Sequence, residues 1–148
     1  KVKIVDGDEV RDKDEKKLGY SYEDVLFNNL RIAEFCLDLK NTDVEIVIVP
    51  VISPYESVRK KVRNMLIPFF HLIYIKADID SLKERDTKGL YLAADQGKIT
   101  GLIGYSDINP YDEPSEPSII IETNNNIPIE KSMEKFFGYV NAQVSNFN

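Results

Sequence analysis

The chain has few of the residues on which disulfide, metal and redox chemistry depend. Its 148 residues include one cysteine, Cys36, one histidine, His71, and no tryptophan. A single cysteine excludes an internal disulfide and favours a reducing compartment. One cysteine and one histidine give little basis for a zinc site or a Cys/His nucleophile pair. Because both lie among apolar residues, we predict a cysteine that fills the core and a histidine on a strand near the core.

The sequence also lacks an excess of positive charge and any long apolar run. Lys and Arg number 19 against 25 Asp and Glu, which gives a net charge of −6. Without a basic excess to replace phosphate counterions, we expect no binding to nucleic acid or to an anionic membrane surface. No run reaches the roughly 18 apolar residues that a membrane-spanning helix needs. The first residues also turn acidic too soon for a signal peptide, so a cytoplasmic protein is predicted.

What the sequence does contain is an alternation of strand-like and helix-like segments. Strands are predicted at 2–6, 44–52, 69–75 and 118–122, and helices at 23–39, 53–65, 79–84, 90–96 and 129–142. This order predicts an α/β fold, with three layers (α/β/α) and a mostly parallel sheet. The length and apolar content predict a single domain over residues 1–148.

Local signals give these helices more detail. Ser21 is predicted to cap the first long helix, and Ser53 to cap the second in a capping box with Glu56. On the first helix the predicted buried flank is Leu26, Leu30, Ala33 and Leu37, with Val25, Ile32 and Cys36 alongside. The predicted polar face is Asp24, Asn28 and Arg31. The segment 97–117 is predicted to be a long loop that works as a lid or binding segment.

Charged and polar side chains follow the predicted strands, where ligands of parallel sheets bind. The first predicted strand is followed by a loop that contains Asp6, Asp8 and Arg11. The second strand is followed by Ser53. Arg85 and Lys88 come one helix after the third. If these groups share one cleft, the carboxylates could orient an attacking hydroxyl or a magnesium-bound water while the cations neutralise a transferring phosphoryl group.

Each element also has an ordinary structural interpretation. Asp6-Gly7-Asp8 alone is a common turn, and helix capping alone explains Ser53. The polar face of the first helix and the pair Arg85/Lys88 could simply be solvated. The order in which the motifs occur is therefore more informative than any one of them.

In that order the motifs resemble those of the adenylylsulfate (APS) kinase family, which belongs to the P-loop nucleotide kinases. The matching segments are Asp6-Gly7-Asp8-x-Val10-Arg11, Leu18-Gly19-Tyr20-Ser21, Asn28-x-x-Arg31-Ile32-Ala33-Glu34, Ile52-Ser53-Pro54-Tyr55-x-x-x-Arg59, Arg85-Asp86-x-Lys88-Gly89-Leu90-Tyr91 and Pro110-Tyr111-Asp112-x-Pro114. The resemblance implies transfer of the γ-phosphoryl group of ATP, with Mg²⁺, to the ribose 3′-hydroxyl of adenylyl sulfate, a step of sulfate assimilation. It also implies a homodimer.

The resemblance further implies roles for individual residues. Asp8 and Asp6 would be catalytic, close to the hydroxyl and the metal. No direct metal ligand is predicted, and Mg²⁺ could be held via Asp6 or Asp8. The acceptor nucleotide would contact Arg11, Tyr20, Asn28, Ile52, Ser53 and Leu102. Arg85 and Lys88 would bind ATP from a lid that spans 85–117.

The chain departs from the family pattern in two places. The family's Gly-rich phosphate-binding loop lies about thirty residues before the Asp-Gly-Asp motif, and this chain has none. We therefore expect residues 1–148 to bind ATP poorly and to be inactive alone, with the loop encoded upstream. In the acceptor site, family arginines are replaced by Val25, Leu30 and Glu56, and two phenylalanines by Tyr20 and Leu102.

The missing loop and these substitutions leave three functions open. Adenylyl sulfate is the family's acceptor. Cytidine diphosphoramidate, used in decorating bacterial capsules, is the alternative, because a smaller pyrimidine with an uncharged nitrogen end would tolerate the lost ring and arginines. The alternative from another class is an inactive kinase-fold module that binds a nucleotide or a partner subunit.

Overall fold

The computed structural model describes residues 1–12 and 18–145, with Asp12 described by its backbone alone. In chain order the elements are β1 (Val2–Ile4), α1 (Gly7–Asp12), α2 (Tyr22–Asp38), β2 (Ile46–Ile48), α3 (Glu56–Leu66), β3 (Ile73–Lys76), α4 (Ile79–Glu84), α5 (Leu90–Asp95), β4 (Ile119–Glu122) and α6 (Ile129–Ser145). A short 3₁₀ turn, Leu39–Asn41, follows α2. None of the helices in the described residues is long and apolar enough to cross a membrane.

The described strands form two parallel pairs. β1 pairs with β2, with Val2 opposite Ile46 and Ile4 opposite Ile48. β3 pairs with β4, with Ile73 opposite Ile119. The predicted α/β class with parallel strands is confirmed. The four strands are not joined by hydrogen bonds into one sheet within the described ranges.

The chain divides into two compact units, each of which consists of two separate stretches of sequence. Unit 1 consists of Lys1–Phe70 and Gly101–Glu113, and unit 2 consists of His71–Thr100 and Pro114–Asn148. Unit 1 contains β1, β2 and α1 to α3, and unit 2 contains the remaining elements. The middle of the predicted lid therefore belongs to the same unit as the Asp-Gly-Asp motif.

The core of unit 1 lies between its helices, because α2 packs against both α1 and α3. Its buried apolar residues are Val5, Val25, Ile32, Ala33, Val58 and Ile103. On α2 the buried face runs through Val25, Asn28, Asn29, Ile32 and Ala33. The predicted flank is thus buried at Val25, Ile32 and Ala33, but Leu37 is 40% exposed. Asn28, predicted on a polar face, is fully buried.

The strands of unit 1 are shorter and more exposed than the sequence predicted. In β1 all three residues are exposed, and only Val5, just beyond its end, is buried. β2 covers only the middle of the predicted strand 44–52. Pro50 lacks the N–H that a regular ladder needs, and its carbonyl instead accepts from the backbone N–H of Gly7 at 3.1 Å.

Helix α1 was missed, because Asp-Gly-Asp indicated a turn and the residues after it a loop. The side chain of Asp6 accepts from the backbone N–H of Asp8 at 2.8 Å, and its carbonyl accepts from Val10 at 3.0 Å. Asp6 thus acts as a helix N-cap. Asp8 and Glu9 in the first turn and Arg11 in the last complement the helix dipole.

The predicted cap of α3 was wrong, because its acceptor is not Ser53. The helix begins at Glu56, after Tyr55, whose side chain makes no capping hydrogen bond. The backbone N–H of Glu56 donates instead to Asp112 Oδ2 at 2.9 Å. Sequence reasoning considered only local acceptors and could not identify a cap from 56 residues away.

Gly7 gives a stability prediction for the junction between β1 and α1. A Cβ at this position would lie 2.6 Å from Val51 Cγ2 and 3.3 Å from the Pro50 carbonyl oxygen. We expect Gly7→Ala to lower the free energy of unfolding by about 1–3 kcal/mol, because the packed backbone must shift. Urea denaturation measures this.

The control for that experiment is Gly138→Ala in α6, where a Cβ would have no neighbour within 4 Å. Alanine there should stabilise the protein by about 0.5–1 kcal/mol through helix propensity. Equal effects of the two substitutions would contradict the close-packing interpretation of Gly7.

In unit 2 aspartates cap the two short helices. Asp78 Oδ1 accepts from Ser81 N at 2.7 Å at the start of α4, and this hydrogen bond lowers the pKa of Asp78. Asp86 accepts from the N–H groups of Leu90 and Leu92 at the start of α5. Gly89, which lies between Asp86 and Leu90, has a φ of +66°, a left-handed conformation that favours glycine.

The structure also decides the positions of the two scarce residues. His71 precedes β3 instead of lying in it, and it is exposed, with Nδ1 2.6 Å from the hydroxyl of Tyr139. The prediction of a strand position near the core was therefore wrong. Cys36 is partly buried on α2, and desolvation raises its pKa, as expected of a thiol that fills space.

Candidate functional site

Two carboxylates at the start of α1 differ in what they already bind. Asp6 uses Oδ1 to cap the helix, as described above. Asp8 is exposed, and its carboxylate has no hydrogen-bond or ion-pair partner in residues 1–12 and 18–145. Asp8 is therefore the carboxylate that is available to a substrate hydroxyl or to a magnesium-bound water.

Arg11 lies one turn after Asp8 and connects α1 to the segment before α2. Its Nη1 donates to the carbonyl of Gly19 at 2.5 Å, and its guanidinium lies 4.8 Å from the centre of the Tyr20 ring. The Nε atom is buried without a hydrogen-bond partner in the described residues. A buried donor without an acceptor costs about 1–3 kcal/mol, so an anionic or carbonyl group of a ligand would be favourable here.

Asn28 on α2 is the second donor of this kind. Its side chain is fully buried, its Oδ1 accepts from Arg31 Nη2 at 3.3 Å, and its Nδ2 has no partner in the described ranges. Arg31 Nη2 also donates to the carbonyl of Val10 at 2.7 Å, which joins α2 to α1. Because the amide is enclosed, its surroundings must open before an acceptor can reach Nδ2.

Ser53 and Ile52 lie in an irregular segment that two contacts hold near these helices. The Gly7–Pro50 hydrogen bond anchors the beginning of the segment at the start of α1. At its end, the Tyr55 ring packs 5.1 Å from that of Tyr22, the first residue of α2. Ile52 is 45% exposed. The Ser53 hydroxyl has no hydrogen-bond partner in the described part of the chain, so it is not used as a cap.

Leu102 belongs to the loop 101–113, which is also part of unit 1. Leu102 itself is half-buried, and its carbonyl accepts from Tyr105 and Ser106. The loop is attached to the start of α3 through Asp112 and Arg59. Sequence reasoning placed Asp112 and Arg59 in family motifs but gave neither a role. The only available signal of such a role was the charge of Arg59 at its spacing from the Ser-Pro-Tyr motif.

The cationic residues predicted to bind ATP lie in unit 2. Arg85 ends α4 and donates through Nε to the carbonyl of Ser81 at 3.0 Å. Lys88 is exposed, just before the left-handed Gly89. Within unit 1 the structure thus brings Arg11 to Tyr20 and joins α1 to α2 beside Asn28. A site that Asp8, Ser53 and Leu102 share with these residues stays a prediction, as does a shared cleft with Arg85 and Lys88.

Comparison with known proteins decides the family. A model of the family described as adenylylsulphate kinase matches residues 1–122, most of the chain. The chain belongs to the adenylylsulfate kinase family. The resemblance noted in the sequence is thereby confirmed, and with it a kinase of the P-loop fold.

Relatives of known name extend this match over nearly the whole chain. An adenylyl-sulfate kinase of Picosynechococcus is 38% identical over 135 residues, which cover 91% of this chain and 73% of the relative. An adenylyl-sulfate kinase of Bacillus pumilus is 36% identical, with coverages of 94% and 69%. The structure of the Mycobacterium tuberculosis APS kinase, in complex with AMPPNP and APS, superposes with a TM-score of 0.74 at 27% identity, covering 91% of this chain and 78% of that one.

The donor set of this APS kinase family member fits a magnesium ion that ATP brings with it. No group of three or more His, Cys, Asp or Glu side chains that could hold a metal occurs in residues 1–12 and 18–145. Mg²⁺ is commonly bound by one or two carboxylates together with water and substrate phosphates. The free carboxylate of Asp8, with Asp6 beside it, matches that requirement.

Proposed function

We propose that this protein transfers the γ-phosphoryl group of ATP to the ribose 3′-hydroxyl of adenylyl sulfate. The observation that carries the proposal lies on α1 and α2, which pack together in unit 1. Among the described residues, they carry an Asp8 carboxylate without a partner and two buried donors without acceptors, Arg11 Nε and Asn28 Nδ2. A nucleotide acceptor supplies what each lacks: a hydroxyl for the carboxylate, and oxygen or ring-nitrogen acceptors for the donors.

In this proposal Asp8 accepts the proton of the ribose 3′-hydroxyl as the hydroxyl oxygen attacks the γ-phosphorus. The bond from the γ-phosphorus to the bridging oxygen breaks, and ADP leaves with that electron pair. Arg11 and Asn28 hold the acceptor nucleotide, and the ring of Tyr20 stacks on its base. Ile52 and Ser53 line the acceptor site on the same side. Mg²⁺, when bound with ATP, neutralises phosphate charge, and Asp8 and Asp6 are the residues that would contact it through water.

For the nucleotide donor, we assign Arg85 and Lys88 to the phosphates of ATP. Lys88 supports this assignment because it is exposed and flanked by a left-handed glycine at the start of α5. Leu102 is assigned to the acceptor through its place in the loop 101–113 of unit 1. On the family resemblance we also propose that the protein is cytoplasmic and acts in sulfate assimilation. We propose further that it is a homodimer, and sedimentation of the full-length protein would test this oligomeric state.

A second acceptor, cytidine diphosphoramidate, is favoured by a specific feature of α2. Val25, where the family pattern has an arginine, is 1% exposed and part of the core. Glu56, at another such position, binds Arg59 instead of facing a ligand. Fewer cations around the acceptor suit an uncharged phosphoramidate end better than a sulfate.

The deciding experiment measures ADP release by the full-length protein with ATP, Mg²⁺ and one acceptor at a time. We expect ADP release with adenylyl sulfate and none with its 3′-deoxy analogue, because the attacking oxygen is then missing. A higher kcat/KM with cytidine diphosphoramidate would assign the capsule pathway instead. Equal ADP release with the 3′-deoxy analogue would contradict the mechanism, and nucleotide binding without any turnover would indicate the inactive module.

A further inference from the structure

Three groups of Asp112 hold the loop 101–113 at the start of α3. Its backbone N–H donates to the Pro54 carbonyl at 2.8 Å. Its Oδ2 accepts from the Glu56 N–H at 2.9 Å. Its carbonyl accepts from Arg59 Nη2 at 2.6 Å. Because three different groups of Asp112 bond to three different residues, these bonds restrain the end of the loop at more than one point.

Arg59 completes this attachment from inside the protein. It is 4% exposed, unusual for an arginine, and its Nη1 donates to the Ser53 carbonyl at 2.6 Å. Glu56 Oε2 accepts from Nε at 3.0 Å and from Nη2 at 2.7 Å, so the buried charge is paired. The guanidinium also lies 5.6 Å from the centre of the Tyr111 ring.

The two segments that Arg59 joins are those that carry predicted acceptor contacts. One contains Ile52 and Ser53, and the other contains Leu102. Within the loop, Asn109 Nδ2 donates to the Gly101 carbonyl at 2.6 Å, and the Gly104 N–H donates to the Asn109 carbonyl at 2.8 Å. These internal bonds connect the end of the loop near Asp112 to the end that carries Leu102.

We propose that Arg59 and Asp112 form a latch that holds the Ile52–Pro54 segment and the loop 101–113 in the arrangement that binds the acceptor. Both are positioning residues, because neither contacts the reacting atoms. The inference rests on the proposed function for its substrate and on the geometry of unit 1 for the latch itself. The latch acts on acceptor binding, so its loss should change the acceptor KM more than kcat or the KM for ATP.

Arg59→Lys tests the latch with the charge beside Glu56 preserved. One ammonium cannot reproduce the guanidinium fork that serves the Ser53 carbonyl, the Asp112 carbonyl and Glu56 together. In the full-length protein we expect the acceptor KM to rise about tenfold, with kcat and the KM for ATP within about twofold of wild type. Amide hydrogen exchange within 101–113 should become about tenfold faster.

Two further variants and a matched control separate the latch from a general loss of stability. Asp112→Ala removes the acceptor of the Glu56 N–H and should raise the acceptor KM several-fold, whereas Asp112→Asn keeps an oxygen there and should restore it. Lys60→Ala is the control, because this exposed lysine lies 3.8 Å from Glu56 Oε1 and makes no hydrogen bond or ion pair with the loop within residues 1–12 and 18–145. It should leave every parameter unchanged.

Parallel losses in kcat and in both KM values, or unchanged acceptor KM and loop exchange in Arg59→Lys and Asp112→Ala, would overturn the latch. If Arg59→Lys fails to fold, the Asp112→Ala and Asp112→Asn pair decides. If the wild-type protein transfers no phosphoryl group, the proposed function fails on its own. Calorimetric binding of adenylyl sulfate and loop exchange in the same variants then still decide whether the latch exists.

Discussion

Asp8→Asn is expected to lower kcat about 100-fold or more in the full-length protein, with little change in either KM. A positioned general base contributes about 10²–10⁴-fold to rate, and an amide cannot accept the proton of the 3′-hydroxyl. The Asp8 carboxylate has no partner among the described residues, whereas the Asp6 carboxylate caps α1. Initial rates of ADP release at saturating ATP and acceptor measure the effect.

Asp6→Asn is the matched control for this experiment, because asparagine can keep the cap on the Asp8 N–H. We expect a much smaller loss of kcat than in Asp8→Asn. The melting temperature should fall by no more than a few degrees in both variants, because each loses one carboxylate charge near the start of α1. Asp6→Ala, by contrast, removes the cap and should cost about 1 kcal/mol of stability. A kcat of Asp8→Asn within threefold of wild type would remove Asp8 from the mechanism.

Asn28→Leu is expected to separate acceptor binding from stability. The substitution removes the unpartnered Nδ2 donor, so the acceptor KM should rise about 10–100-fold if that donor binds the acceptor. Stability should change little, because relief of the unpartnered buried donor offsets loss of the long 3.3 Å hydrogen bond from Arg31 Nη2 to Asn28 Oδ1. Steady-state kinetics and thermal unfolding of the same preparation measure both effects.

Asn29→Leu provides the contrast, since the neighbouring asparagine is also buried but its Nδ2 donates to the Val25 carbonyl at 2.9 Å. Here we expect a loss of stability with an unchanged acceptor KM. The ligand role of Asn28 would be contradicted if Asn28→Leu unfolded at a lower temperature and kept its KM. In that case the amide would serve only the packing of α2.

Sequence reasoning was most successful where structure is encoded locally. The helix 79–84 has the predicted bounds, and Ser21 caps α2 through a hydrogen bond from the N–H of Asp24. β4 lies within the predicted strand, and the long loop before it contains neither helix nor strand. Each of these features depends on residues within a few positions of one another, where propensity and capping chemistry dominate.

Prediction failed where a distant partner competes with a local signal. Ser53 has the sequence of a helix cap, but Asp112 supplies the oxygen. Asp6-Gly7-Asp8 has the sequence of a turn, yet α1 begins there because Asp6 caps it and Gly7 fits against Val51. Asn28 was placed on a polar face because helical periodicity does not show which neighbour a face will meet.

The sequence by itself determined the fold class, the family and the identity of the candidate site residues, because strand and helix periodicity and the order of motifs are properties of the chain alone. Only the tertiary structure decided which of those residues are free to bind. It left the Asp8 carboxylate open, enclosed the Asn28 amide without an acceptor, and buried Arg59 between two loops. The physical reason is that a polar group's role depends on which partners folding brings within hydrogen-bond distance, and those partners lie far away in sequence.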